Sequence, residues 1–154
     1  MQYIKEDVEK SKQELKDYRY NKKWVEERLE DIKERRSLLD NITNTISDMP
    51  KGSKYVYDRQ AENLTKILDL TNDLEKYLKE LKIKQILIEN KIDKLDQPYK
   101  NILYFKYIKG YNLTEVSNEI EEEYDYTRKL HRKALIKYTK VGKNEKYSWW
   151  KYLL

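Results

Sequence analysis

Residues 60–95 read QAENLTKILDLTNDLEKYLKELKIKQILIENKIDKL. Within them Gln60, Leu64, Ile67, Thr71, Leu74, Leu78, Leu81, Gln85, Ile88, Ile92 and Leu95 step by four and three throughout, and none is charged. A stripe repeating every 3.5 residues over this length is a coiled-coil seam. A weaker copy lies upstream. Ile4, Val8, Ser11, Leu15, Tyr18, Lys22, Val25, Leu29 and Ile32 keep the same step, Arg36 interrupts it, and Leu39, Ile42, Ile46 and Met49 continue it after one slip. Lys22 fits a seam because its stem can lie along the apolar stripe while its ammonium reaches water.

Between the two stripes lies SDMPKGSKYVYD, residues 47–58, where Pro50 and Gly52 interrupt helical patterns. Two helices of similar length, roughly 60 Å each at 1.5 Å per residue, joined by a short bend, become antiparallel neighbours. Residues 1–95 are therefore expected to form an antiparallel helical hairpin with its bend near 47–57. Ser11, Lys22, Thr71 and Gln85 in the seam would fix register at some cost in stability. A third helix or a second copy would thicken a core that two helices leave thin, so a homodimer is a candidate assembly.

Asp96-Gln97-Pro98 follows the last heptad, and proline behind a polar cap starts a new helix. That helix is expected from Pro98 to about Lys109, with Ile102, Leu103 and Tyr107 on one face, and Gly110 ends it. Asn112 and Glu115 have capping-box spacing, and Val116 and Ile120 give the next short helix its apolar face. Glu121–Glu123 form a turn. In the helix expected over 124–140, Thr127, Leu130, Ala134, Leu135 and Tyr138 face inward. The opposite face carries Asp125, Arg128, Lys129 and Arg132, flanked by Tyr126 and Lys133, with Lys137 further along. Short helix, tight turn and longer basic helix are the layout of a helix-turn-helix, residues 96–140. Guanidinium and ammonium groups on such a face reach both phosphates and guanine edges in a major groove. Tyr126, Arg128, Lys129, Arg132, Lys133 and Lys137 are the candidate DNA-binding residues.

Charge supports that reading. The chain of 154 residues carries a net charge of +5. Residues 1–95 hold 21 Lys/Arg against 20 Asp/Glu, residues 96–125 hold 3 against 7, and residues 126–154 hold 9 against 1. A basic block at one end implies a polyanionic partner, nucleic acid being the common case; a solvated lysine-rich tail is the plainer alternative. Charged residues at 40% and apolar ones at 38% suit long helices with a narrow buried face. Only three Gly and two Pro are present, so turns are few. There is no Cys, hence no disulfide and no thiolate ligand. No apolar run approaches the ~20 residues of a membrane span, and MQYIKEDVEK lacks an apolar signal core. The expectation is a soluble intracellular protein with no membrane partner.

YFKYIKGYNLTEVSNEI, residues 104–120, followed by YDYTRKLHRKAL, residues 124–135, resembles the C-terminal region of sigma factors that reads the −35 promoter element. The resemblance rests on Tyr107-Ile108-Lys109-Gly110 before the short helix and on Lys133-Ala134-Leu135 closing the second. LHRKAL is similar to the sigma-like late-gene regulators of phages and prophages of Gram-positive bacteria, of the ArpU and RinA type, and ISDMPKGS, residues 46–53, resembles the Met-Pro bend of their helical hairpins. The match covers most of the chain, though only the last forty-odd residues carry specific motifs. It implies a transcriptional regulator, an activator of late genes, that binds double-stranded promoter DNA, with host RNA polymerase as a second candidate partner. The chain departs from the pattern at the turn, where a small residue or Gly is usual in place of Glu121 and Ser or Thr in place of Glu123. A carboxylate there suits the helix dipole but repels a phosphate, so weak intrinsic DNA affinity is expected.

No chemistry is expected. His131 is the single histidine and lacks partners for a metal site or a nucleophile–base pair; helix packing or a phosphate contact is its expected role. Glu121–Glu123 read as a solvated turn. No phosphate-cradling glycine loop is present, so neither enzyme activity, cofactor nor metal is anticipated. The basic aromatic tail, residues 141–154, ends in Trp149, Trp150, Tyr152, Leu153 and Leu154. It is expected to fold back onto the hairpin, the alternative being a contact with polymerase or a second subunit. Two rival functions share this architecture: a small-terminase-like DNA-packaging protein, which would assemble as a ring, and a coiled-coil adaptor that binds protein in place of DNA.

Overall fold

A computed structural model describes residues 2–48 and 54–145, and among them every regular element is helical. Helix α1 spans Gln2–Ser47 and α2 spans Lys54–Asp93. Helix α3 covers Tyr99–Leu103 and widens without a break into a π turn over Tyr104–Ile108. Helix α4 is Leu113–Glu119 and α5 is Tyr124–Glu145, so α5 continues five residues past the expected 140. The bend residues Pro50 and Gly52 and the Trp149–Trp150 tail fall outside the described residues.

Cross-helix pairs fix the direction of α1 against α2. Glu14 meets Lys91, Tyr18 donates to Glu89, Glu26 meets Lys82, and Arg36 pairs with Glu75 and Asn72. Numbers rise along α1 as they fall along α2, as an antiparallel hairpin requires. By internal contacts the chain forms two compact units, residues 23–83 and residues 1–22 with 84–154.

In the unit of residues 23–83 the seam is a single layer. Val25, Ile32 and Leu78 are buried, with Leu29, Leu74 and Leu81 packed against them. Thr71 is fully buried and satisfies its hydroxyl by donating to the Ile67 carbonyl at 2.7 Å. Toward the bend the expected seam opens: Ile42 is 46% exposed and Ile67 44%, and Gln60 is exposed too. The residues flanking Ile42, namely Asn41, Thr43, Asn44 and Thr45, are short and polar.

The other unit has a thicker core. Leu15, Tyr18, Ile88, Ile92 and Leu95 of the hairpin base form one cluster with Leu103, Tyr107, Ala134, Leu135 and Tyr138. Burying each such side chain contributes about 1.5–3 kcal/mol, which is why the short helices need the hairpin base beside them. Polar ties set the docking. Tyr138 donates to Glu14 at 2.7 Å, Thr139 to Ser11 at 2.8 Å, and Lys143 pairs with Asp7 at 2.6 Å. Here too numbers rise along α5 as they fall along α1, so α5 lies antiparallel to α1. Gln85 is buried at its seam position with no hydrogen-bond partner among the described residues. Such a group costs stability.

Candidate nucleic-acid interface

Gly110 and Asn112 place α4. Gly110 has φ +81°, the left-handed conformation that glycine adopts without penalty. Its carbonyl accepts from the Arg19 guanidinium of α1 at 2.9 Å. Asn112 is extended, and its side chain accepts from the Glu115 N–H at 2.8 Å while the Glu115 carboxylate accepts from the Asn112 N–H at 3.4 Å. This is the full capping box anticipated from the spacing. Val116 and Ile120 close over Ile102 and Leu130, with Phe105 and Tyr111 stacked at 5.9 Å beside them.

The connection from α4 to α5 is a Schellman closure. The Glu122 N–H donates to the Ser117 carbonyl at 3.0 Å and the Glu121 N–H to Asn118 at 3.3 Å. Glu121 thereby occupies the position that takes a left-handed residue, and its φ is +56°. The usual glycine there has a physical reason, since a side chain with Cβ costs roughly 1–2 kcal/mol in that conformation. Glu123 ends the turn, its carbonyl accepting from Thr127 at 2.9 Å. All three glutamates are exposed.

On α5 the inward set is Thr127, Leu130, Ala134, Leu135 and Tyr138, each buried as its spacing implied. Burial, reinforced by the Glu14 carboxylate beside it, pushes the Tyr138 hydroxyl far above the usual phenol range. His131 joins the inward set at 6% exposure, with its Nε2 2.9 Å from the Tyr107 hydroxyl. Burial first, then the positive Lys106, Lys12 and Arg132, pushes the imidazole down to about 4. The ring is therefore neutral at pH 7 and packs among the inward set, and it also lines the cleft beside Arg128 and Arg132 described below.

The outward set is brought to one arc. Tyr126, Arg128, Lys129, Arg132 and Lys133 are all exposed. Lys137 is half-buried, its ammonium 4.6 Å from the centroid of the Tyr99 ring. It therefore sits at the margin of the arc, held against α3.

Further cations gather on the Arg128 and Arg132 side. A cleft of about 1000 Å³ has these two residues on one wall, Lys5, Lys12 and Lys16 of α1 on the other, and Lys106 and the apolar side chains of Val8, Leu113 and Ile136 between. Lys106 is pushed below the usual lysine range, first by burial and then by its cationic neighbours Arg19, Lys12 and Lys16. Charge totals do not single out Lys12, Lys16 or Lys106: a near-zero total over residues 1–95 hides which face the two α1 lysines occupy, and Lys106 lies in a stretch that is net acidic. The usable signal was a stripe, Lys5, Glu9, Lys12, Lys16 and Arg19, stepping four and three one position after the seam. Among the described residues no helix is long and apolar enough to cross a membrane. Neither a family model, a curated protein nor a solved structure matches the chain.

Proposed function

We propose that this chain is a DNA-binding transcriptional regulator of the phage and prophage type, acting in the bacterial cytoplasm as an activator of late genes. Helix α5 lies in the major groove of promoter DNA. Arg128, Lys129, Arg132 and Lys133 contact base edges and phosphates, and Tyr126 packs at the groove entrance. One observation carries the reading: α5 presents an exposed arc on which Arg128, Lys129, Arg132 and Lys133 stand together with Asp125, while its other side is fixed by the capped α4 and by the hairpin base. A B-DNA major groove is about 12 Å wide and accepts one such helix. The sigma-like pattern of residues 104–135 adds the promoter as the target. The exposed carboxylates of Glu121–Glu123 lower the intrinsic affinity, leaving room for host RNA polymerase to stabilise the complex on DNA. The hairpin serves dimerisation or touches the transcription machinery.

The test is a gel shift with duplex DNA from upstream of the neighbouring late operon. Binding is expected at low salt, and Arg128→Ala with Arg132→Ala is expected to weaken it about 30-fold or more, at roughly 1 kcal/mol or more per residue. Intact binding by the double variant would show that α5 is not the reading helix. A wild-type protein that binds no DNA at low salt would favour the adaptor.

A further inference from the structure

The cleft between α1 and α5 concentrates positive charge that the fold itself does not use. Lys5, Lys12, Lys16, Lys106, Arg128 and Arg132 line it, against a single carboxylate, Glu9. None of the six forms an ion pair with a described residue. Lys12 and Lys16 are one turn apart on the same face of α1, a like-charge pair that weakens an isolated helix. Their ammonium groups also face Lys106, whose own charge is disfavoured by burial and by theirs. A fold gains nothing from such a cluster in the absence of an anion, because like charges in a partly desolvated cleft repel.

The position of the cleft identifies the anion. A helix about 10–12 Å in diameter fills a major groove about 12 Å wide, so a phosphate strand runs along each of its flanks. On the Arg128 and Arg132 flank of α5, the neighbouring element is α1. We propose that this cleft seats the phosphate backbone bordering the major groove, so that Lys12 and Lys16 of the hairpin, together with Lys106, are part of the DNA-binding surface. The hairpin base then acts in recognition beyond supporting the helix-turn-helix: it clamps one strand and sets the register of α5. Lysine point charges suit this role, since phosphate contacts position a protein without reading sequence. The inference rests on α5 being the reading helix.

The experiment measures fluorescence anisotropy of a labelled duplex with the full chain between about 50 and 200 mM salt, where the slope of log K against log salt reports about 0.9 per neutralised phosphate. Three proteins are compared: wild type, Lys12→Gln/Lys16→Gln, and Lys23→Gln/Lys33→Gln. The last removes equal charge outside the cleft, at exposed lysines within reach of Glu27 and Glu30. Glutamine keeps helix propensity close to that of lysine, so both variants fold. The expected result is a slope shallower by about two for the cleft variant, with the discrimination between specific and random duplex unchanged, and no change for the control. An unchanged slope in the cleft variant, or an equal loss in both, overturns the proposal and leaves α5 as the reading helix, the cleft then serving another anionic partner such as an acidic protein segment. No salt-dependent binding by wild type overturns both this inference and the DNA-binding function.

Discussion

His131 shows how a residue that invites a chemical role is fixed in a structural one. A lone histidine among basic residues on a candidate reading helix suggests a phosphate contact. In the fold it is buried, 2.9 Å from the Tyr107 hydroxyl, and neutral. This has a consequence for stability. The imidazole titrates near 6.5 when exposed and at about 4 in the fold, so between these values the unfolded chain binds more protons than the native one. Stability is therefore full above pH 6.5, falls as pH drops toward 4, and loses nothing further from this group below that. The whole shift corresponds to about 3 kcal/mol, or roughly 6–12 °C in melting temperature for a chain of this size. Comparing thermal melts of wild type and His131→Gln from pH 7 to pH 4 checks it. Wild type is expected to lose more stability across the window than the variant, and parallel curves would contradict the buried neutral assignment.

At the scale of elements, the join between α4 and α5 is where chain and pattern part. The Schellman closure puts Glu121 at φ +56°, so Glu121→Gly is expected to stabilise the protein by about 1 kcal/mol, a rise of roughly 2–4 °C in melting temperature. A fall would show that the carboxylate makes a stabilising interaction. Replacing Glu121, Glu122 and Glu123 together by Gly, Tyr and Ser removes three negative charges from the N-terminal end of α5 and, on the proposed function, is expected to tighten DNA binding in the same titration. Weaker binding would assign the carboxylates a positive role. Elements with a local cause were legible in sequence. The α4 cap followed from Asn112 and Glu115, the stop of the helical run of α3 and its π turn from Gly110, and the inward face of α5 from Thr127 to Tyr138. The seam was legible where large side chains flank it and failed at Ile42 and Ile67, whose burial depends on neighbours that no periodicity counts. The π turn at Tyr104–Ile108, closed by Lys109 N–H to the Tyr104 carbonyl at 2.9 Å, had no signal in the residue spacing.

For the molecule as a whole, the two long antiparallel helices and the short helices after them were legible separately, and their shared core was not. The contacts joining Leu15, Tyr18 and Ile92 to Leu135 and Tyr138 link residues more than forty positions apart, and nothing in a heptad says which of its outer faces meets a third helix. The same docking gathers the α1 lysines beside Arg128 and Arg132, so the cationic surface is a property of the folded unit and not of the basic C-terminal block alone. The central claim, that the exposed arc of α5 enters the major groove, can be tested through the absence of cysteine from the chain. Lys129→Cys carries the sole thiol, at an exposed position between Arg132 and Lys133 on that arc, and accepts an iron chelate that generates hydroxyl radicals. With the labelled protein bound to a duplex from the neighbouring upstream region, strand cleavage confined to a few adjacent base pairs is expected. Bound protein that leaves the duplex uncut from this position would contradict it.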